Sequence, residues 1–134
     1  MDTIVFIETN KSGSSREAIK AANNLNFFTV LLTCRKKFLK DRNEFPDVHE
    51  MIFTDINDYD NLITIIKKFK KTGKNIKGIF SFIDPFVYVA ARLSEKFCQC
   101  DISADAIYHM EDKILTRNVL KELPISLNYL IYKP

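Results

Sequence analysis

The side chains best suited to chemistry fall in a few short stretches. Asn10-Lys11-Ser12-Gly13-Ser14-Ser15 is polar and stands between an apolar run and the start of a helical pattern. A helix that opens there presents free backbone N–H groups and the positive end of its dipole. Lys11 and the serine hydroxyls around Gly13 would help hold an anion. A plain capped turn accounts for the same residues. A dinucleotide fingerprint requires G-x-G-x-x-G and an acid after the second strand. This loop has one glycine, and the second apolar run ends Thr33-Cys34-Arg35, so bound NAD is not expected.

Asp112-Lys113 is the second candidate. A cation in the first turn of a helix opposes the dipole by roughly 0.3–1 kcal/mol. Helix stability therefore does not explain Lys113, unless Asp112, a natural cap, offsets it. A long ammonium side chain at that point would reach a phosphate. Asp84 follows the fourth apolar run, on the edge where open α/β sheets bind ligands, although an N-cap role explains it fully. Glu8 and Asp55 follow the first and third runs and could together face Mg²⁺. Glu8 is followed by Thr9 rather than by a second acid, so both read as solvated loop acids.

Cys34, Cys98 and Cys100 are odd in number, and Cys98-x-Cys100 is too tight for a usual disulfide or zinc knuckle. His49 and His109 are far apart in sequence, so no metal site and no catalytic residue is assigned. The thiols read as reduced, as in a cytoplasmic protein.

The elements that position these groups follow from periodicity. The chain has 134 residues, 46% hydrophobic and 12% aromatic, enough for one domain with a buried core. A net charge of +3 is too small to imply nucleic acid, and the run Lys67-Lys68-Phe69-Lys70-Lys71 suits the solvated C-terminal end of a helix. No apolar run approaches the ~20 residues of a membrane span, so neither nucleic acid nor membrane is an expected partner.

Strands are expected over 3–8, 27–33, 50–54, 76–82 and 127–132. Ser14 with Glu17 reads as a capping box for a helix with Ala18, Ala22 and Leu25 inward. Residues 35–44 read as a basic irregular segment. Asp58 caps a helix whose stripe is Leu62, Ile65, Ile66 and Phe69. Asp84-Pro85 reads as cap and first-turn proline of a helix with Phe86, Val89, Ala90, Leu93 and Phe97 inward. Ser103 caps a short helix, and another runs from Lys113 to about Leu123. Alternating strands and helices predict one small doubly wound, Rossmann-like α/β domain with a parallel sheet and helices on both faces.

From Ile79 to Tyr129 the order of motifs resembles the end of the N-terminal (pre-ATP-grasp) domain of ATP-grasp ligases. A strand and an Asp-Pro cap lead into the helix DPFVYVAARLSEKF. The short helix SADAIYHMEDK follows, then Asp-Lys, the Arg-containing helix and a turn into a strand, KILTRNVLKELPISLNYLI. Biotin carboxylase, carbamoyl phosphate synthetase and the amino-acid ligases of this superfamily share that order. The first strand, the Ser/Gly loop, the helix with Ala21-Ala22 and the second strand look like the start of the same domain. Two departures mark a divergent member. Leu123 stands where the family often has glycine, and Cys98-Gln99-Cys100-Asp101 replaces a glycine-containing turn.

The resemblance implies that Lys113 contacts nucleotide phosphates, that Arg117 is structural, and that the Ser12-Gly13-Ser14 loop lies near a small carboxylate or amine substrate. It implies ATP and Mg²⁺ as cofactors of the full enzyme, held by a downstream ATP-grasp domain in the same chain or in trans. On that reading residues 1–134 form one domain, the strand over 127–132 leads toward the ATP-grasp domain, and the chain alone is inactive. A homodimer is compatible with it. The reading from another class is a stand-alone module of flavodoxin-like or receiver-like shape that binds a small anion or mononucleotide.

Overall fold

The computed structural model describes residues 1–99, 101–124, 128 and 130–132. Its centre is a four-stranded parallel sheet in the order β3-β2-β1-β4. The strands are β1 (Asp2–Ile7), β2 (Phe28–Thr33), β3 (Glu50–Phe53) and β4 (Asn75–Phe80). The helices are α1 (Ser14–Asn24), α2 (Lys36–Lys40), α3 (Tyr59–Lys71), α4 (Val87–Phe97), α5 (Ala104–Glu111) and α6 (Lys113–Leu120). The strand expected over 127–132 falls on a stretch that lies partly outside the described residues.

Parallel strands need crossover connections, and here helices cover both faces, as apolar runs of this kind require. Alternation along β1 and β2 sorts the core into two halves. Val5, Ile7, Val30 and Leu32 pack with Leu62, Ile66 and Phe69 of α3 and with Ala90 and Leu93 of α4. Phe6 and Leu31 pack on the other face with Ile19 and Ala22 of α1, Phe38 of α2, Phe45 and Val48. The doubly wound prediction is therefore correct. Strand β1 is central, and chain order reverses between β1 and β4, so their C-terminal ends flank the switch point where such sheets bind ligands.

Several details differ from expectation. Helix α1 turns Ile19 inward and leaves Leu25 69% exposed, because the helix ends at Asn24 and Asn26 (φ 62°) redirects the chain. The supposedly irregular segment 35–44 contains α2 and a 3₁₀ turn, Arg42–Glu44, anchored by Phe38 and Phe45 in the core. In β4 the pairing slips between Thr3↔Ile76 and Ile4↔Gly78. Gly78 stands at that slip with the Phe80 ring folded over it, so a Cβ there would push the ring aside.

Candidate functional site

At the end of β1 the ladder delivers Glu8 opposite Thr33. Ile7 pairs with Leu32, and the Glu8 amide donates to the Leu32 carbonyl at 2.8 Å. Glu8 is 1% exposed, so its reading as a solvated loop acid is wrong, while Asp55 is exposed as expected. Glu8 Oε1 accepts from the Thr9 amide at 3.1 Å and from Thr33 Oγ1 at 2.9 Å. Its Oε2 accepts from the Cys34 amide and the Cys34 thiol, each at 3.1 Å, and Arg35 Nε lies 3.7 Å from Oε1. The residue holds φ 61°, a conformation uncommon outside glycine, and the surrounding network fixes it there. Burial, and then the hydrogen bond to Glu8, push the Cys34 thiol up from its ordinary value. The burial of Glu8 was legible only from the register, which carries Thr33 and Cys34 to its side.

The loop after Glu8 is braced from within. Thr9 Oγ1 donates to the Asn10 carbonyl at 3.0 Å and to Ser15 Oγ at 3.1 Å, and the Asn10 amide donates to Ser15 Oγ at 3.1 Å. Because the Ser15 hydroxyl turns back to the loop, the helix opens differently from the expected capping box. Gly13, not Ser14, is the N-cap residue, with φ 86° and no side-chain cap. Its carbonyl accepts from the amides of Arg16 and Glu17, each at 3.0 Å. A left-handed φ at that point is what glycine permits.

Ser12, Gly13 and Ser14 are exposed on this loop. Lys11 reaches away from it to Glu44 at 2.6 Å and Asp41 at 3.2 Å. Those two carboxylates, Glu44 first, hold its ammonium above its ordinary pKa. An anion at the loop would therefore meet Lys11 already paired. Beneath it, Arg16 pairs with Asp47 at 2.8 Å and stacks on Phe45, tying α1 to the segment before β3.

The second wall of the switch point is the β4–α4 connection. Asp84 opens a 3₁₀ turn, Asp84–Phe86, with Pro85 in its first positions, and α4 begins only at Val87. No side-chain cap is made at this turn, contrary to the N-cap reading. The backbone carbonyl of Ile83 accepts from the Phe86 amide at 2.9 Å instead. The start of α4 is held from α5, where Glu111 Oε1 accepts from the Tyr88 amide at 3.2 Å. A cleft of about 620 Å³ lies between this connection and α5.

Helices α5 and α6 have the expected caps. Ser103 accepts from the Ala106 amide at 3.1 Å. Asp112 accepts from the amides of Ile114 at 2.7 Å and Leu115 at 3.1 Å. Lys113 is thus the first residue of α6, exposed, beside a carboxylate that is spent on capping. Arg117 is half-buried one turn on. Helix α6 packs on α5 and α5 on α4, whereas the first loop is braced by residues 41–47. The candidates therefore belong to two separately held groups, Lys113 with the α5–α6 hairpin and Lys11 to Ser14 with α1.

Among the described residues no group of three or more His, Cys, Asp or Glu side chains is placed to hold a metal ion. No helix among the described residues is long and apolar enough to cross a membrane.

Comparison with known families places this architecture. A family model described as the ATP-grasp N-terminal domain matches residues 19–97, from within α1 to the end of α4. Asp84 lies inside that span, while Lys11, Ser12, Gly13, Ser14 and Lys113 lie outside it. No curated protein and no solved structure gave a match. With more than half of its length matched and a doubly wound parallel sheet around β1, the chain belongs to the ATP-grasp N-terminal domain family.

Proposed function

We propose that this chain is the substrate-positioning N-terminal domain of an ATP-dependent carboxylate–amine ligase or a related carboxylate ligase. The observation that carries this reading is the family match over residues 19–97. The fold supports it by presenting two loops, after β1 and after β4, at one switch point. In this account the domain forms one wall of a cleft whose other wall is an ATP-grasp domain, in the same chain or in trans. ATP and Mg²⁺ bind on that other domain, which supplies activation of the carboxylate as an acyl phosphate. The exposed Ser12-Gly13-Ser14 stretch offers amides and hydroxyls to a small carboxylate substrate. Lys113, whose exposed side chain makes no hydrogen bond or ion pair among the described residues, reaches the nucleotide phosphates.

The test is a pair of variants in the complete ligase. Lys113→Ala should raise KM for ATP roughly tenfold or more, since hydrogen bonds between charged groups contribute ~1.5–3 kcal/mol. Ser12→Ala with Ser14→Ala should instead raise KM for the carboxylate and leave KM for ATP alone. Unchanged kinetics in both variants would remove the positioning role.

A further inference from the structure

We infer that the cleft between the β4–α4 connection and α5 binds a primary ammonium group carried on an apolar stem. Among the described residues its walls are Pro85, Val87, Ile107 and Met110, and two carboxylates, Asp84 and Glu111, stand among them. The cleft volume, about 620 Å³, falls within the range of small-molecule sites. Met110 is 70% exposed, apolar surface that a stem would cover.

What sets this cleft apart is that its carboxylates are not neutralised. Asp84 is the first residue of the 3₁₀ turn, after Ile83 at the cap position, and that turn is closed by backbone groups without a side-chain cap. Its side chain makes no hydrogen bond or ion pair among the described residues. Glu111 gives one oxygen to the Tyr88 amide at 3.2 Å, leaving its second oxygen open. Among the described residues no Lys, Arg or His pairs with either acid. Both acids are exposed at the mouth of the cleft beside its apolar wall, and their charge repels carboxylates and phosphates and gives neutral ligands no use for it. They match a cation whose stem buries apolar area while its N–H groups donate to the oxygens. An alkylamine and a lysine side chain of another protein share this chemistry.

The test uses the chain as it is, without ATP or a second domain, so it stands or falls separately from the ligase reading. Hexylamine at neutral pH is titrated while the side-chain methyl signals of Val87, Ile107 and Met110 are followed by NMR. Hexanol and hexanoate are the matched controls, and Nα-acetyl-lysine methylamide represents the side-chain source. The expected result is that both amines shift these methyls, the tighter of the two identifying the source, while hexanoate does not. Asp84→Asn and Glu111→Gln should each weaken amine binding about two- to fivefold, the range of an exposed ion pair. Glu111→Gln keeps an acceptor for the Tyr88 amide, so the start of α4 is preserved. Equal binding of hexanol and hexylamine, unchanged binding in both variants, or no shift of these methyls would each overturn the assignment.

Discussion

Replacing Glu8 by Ala should destabilise the domain more than any exposed acid does. The carboxylate is 1% exposed and accepts from Thr9, Thr33 and Cys34. Thr9 and Thr33 are themselves fully buried, so water cannot take over their donors. An orphaned buried donor costs ~1–3 kcal/mol. The Cys34 groups are nearer solvent and recover part of their loss. The contact with Arg35, at 3.7 Å and 42% exposed on the Arg side, adds little. The total for Glu8→Ala is about 3–5 kcal/mol, as for the breaking of a buried charged network. Glu8→Gln keeps the shape but turns an amide N–H toward the Cys34 donors, and should cost about 1–3 kcal/mol.

Guanidinium chloride unfolding reads both variants as a lower midpoint with an unchanged slope. A cycle with Thr33→Val should give a coupling of at least ~1 kcal/mol, because one partner's loss already removes the other's contact. If Glu8→Ala stays within about 1 kcal/mol of the parent, the network is not what holds the end of β1 to β2, and the reasoning fails.

Two further predictions concern the neighbouring elements. Cys34, its thiol pushed up by burial and by Glu8, should be alkylated by iodoacetamide at a higher pH midpoint in the folded protein than in the unfolded chain, and Glu8→Gln should lower that midpoint. A midpoint in the folded parent at or below that of the unfolded chain, read by peptide mass, contradicts the contact. His49 Nδ1 accepts from the Thr29 amide at 3.0 Å, so Nε2 carries the proton, and the ring stacks on Phe28 at 4.8 Å. His49→Phe keeps the stacking and removes the acceptor. It should cost ~1–3 kcal/mol and speed hydrogen exchange of the Thr29 amide, whereas unchanged exchange would refute that role.

The sheet and its helices were legible because their signals are local. Leu62, Ile66 and Phe69 recur at helical spacing, and all three are buried on α3 as read. Ser103, Asp58 and Asp112 are followed by helices that need their oxygens, and each caps one. What escaped reading depends on distant partners. Glu8 looked like a loop acid until the register with β2 supplied Thr33 and Cys34. Ser14 and Asp84 had the sequence positions of caps. Gly13 with its left-handed backbone displaced the first, and a backbone turn braced by Glu111 displaced the second. Lys11 looked free for an anion, but Asp41 and Glu44, some thirty residues on, hold it. The candidate site was thus legible as two loops at one sheet edge, and not in the charges that surround them.

The central claim is that this domain positions substrate for a reaction that needs an ATP-grasp partner. Capture of acyl phosphate by hydroxylamine, with ATP, Mg²⁺ and a panel of small carboxylates, tests it most directly. The account predicts no hydroxamate from this chain alone, and ATP-dependent hydroxamate once the ATP-grasp domain is present in the same chain or added in trans. Hydroxamate formed by the chain by itself, or formed equally well by the ATP-grasp domain without it, would contradict the account.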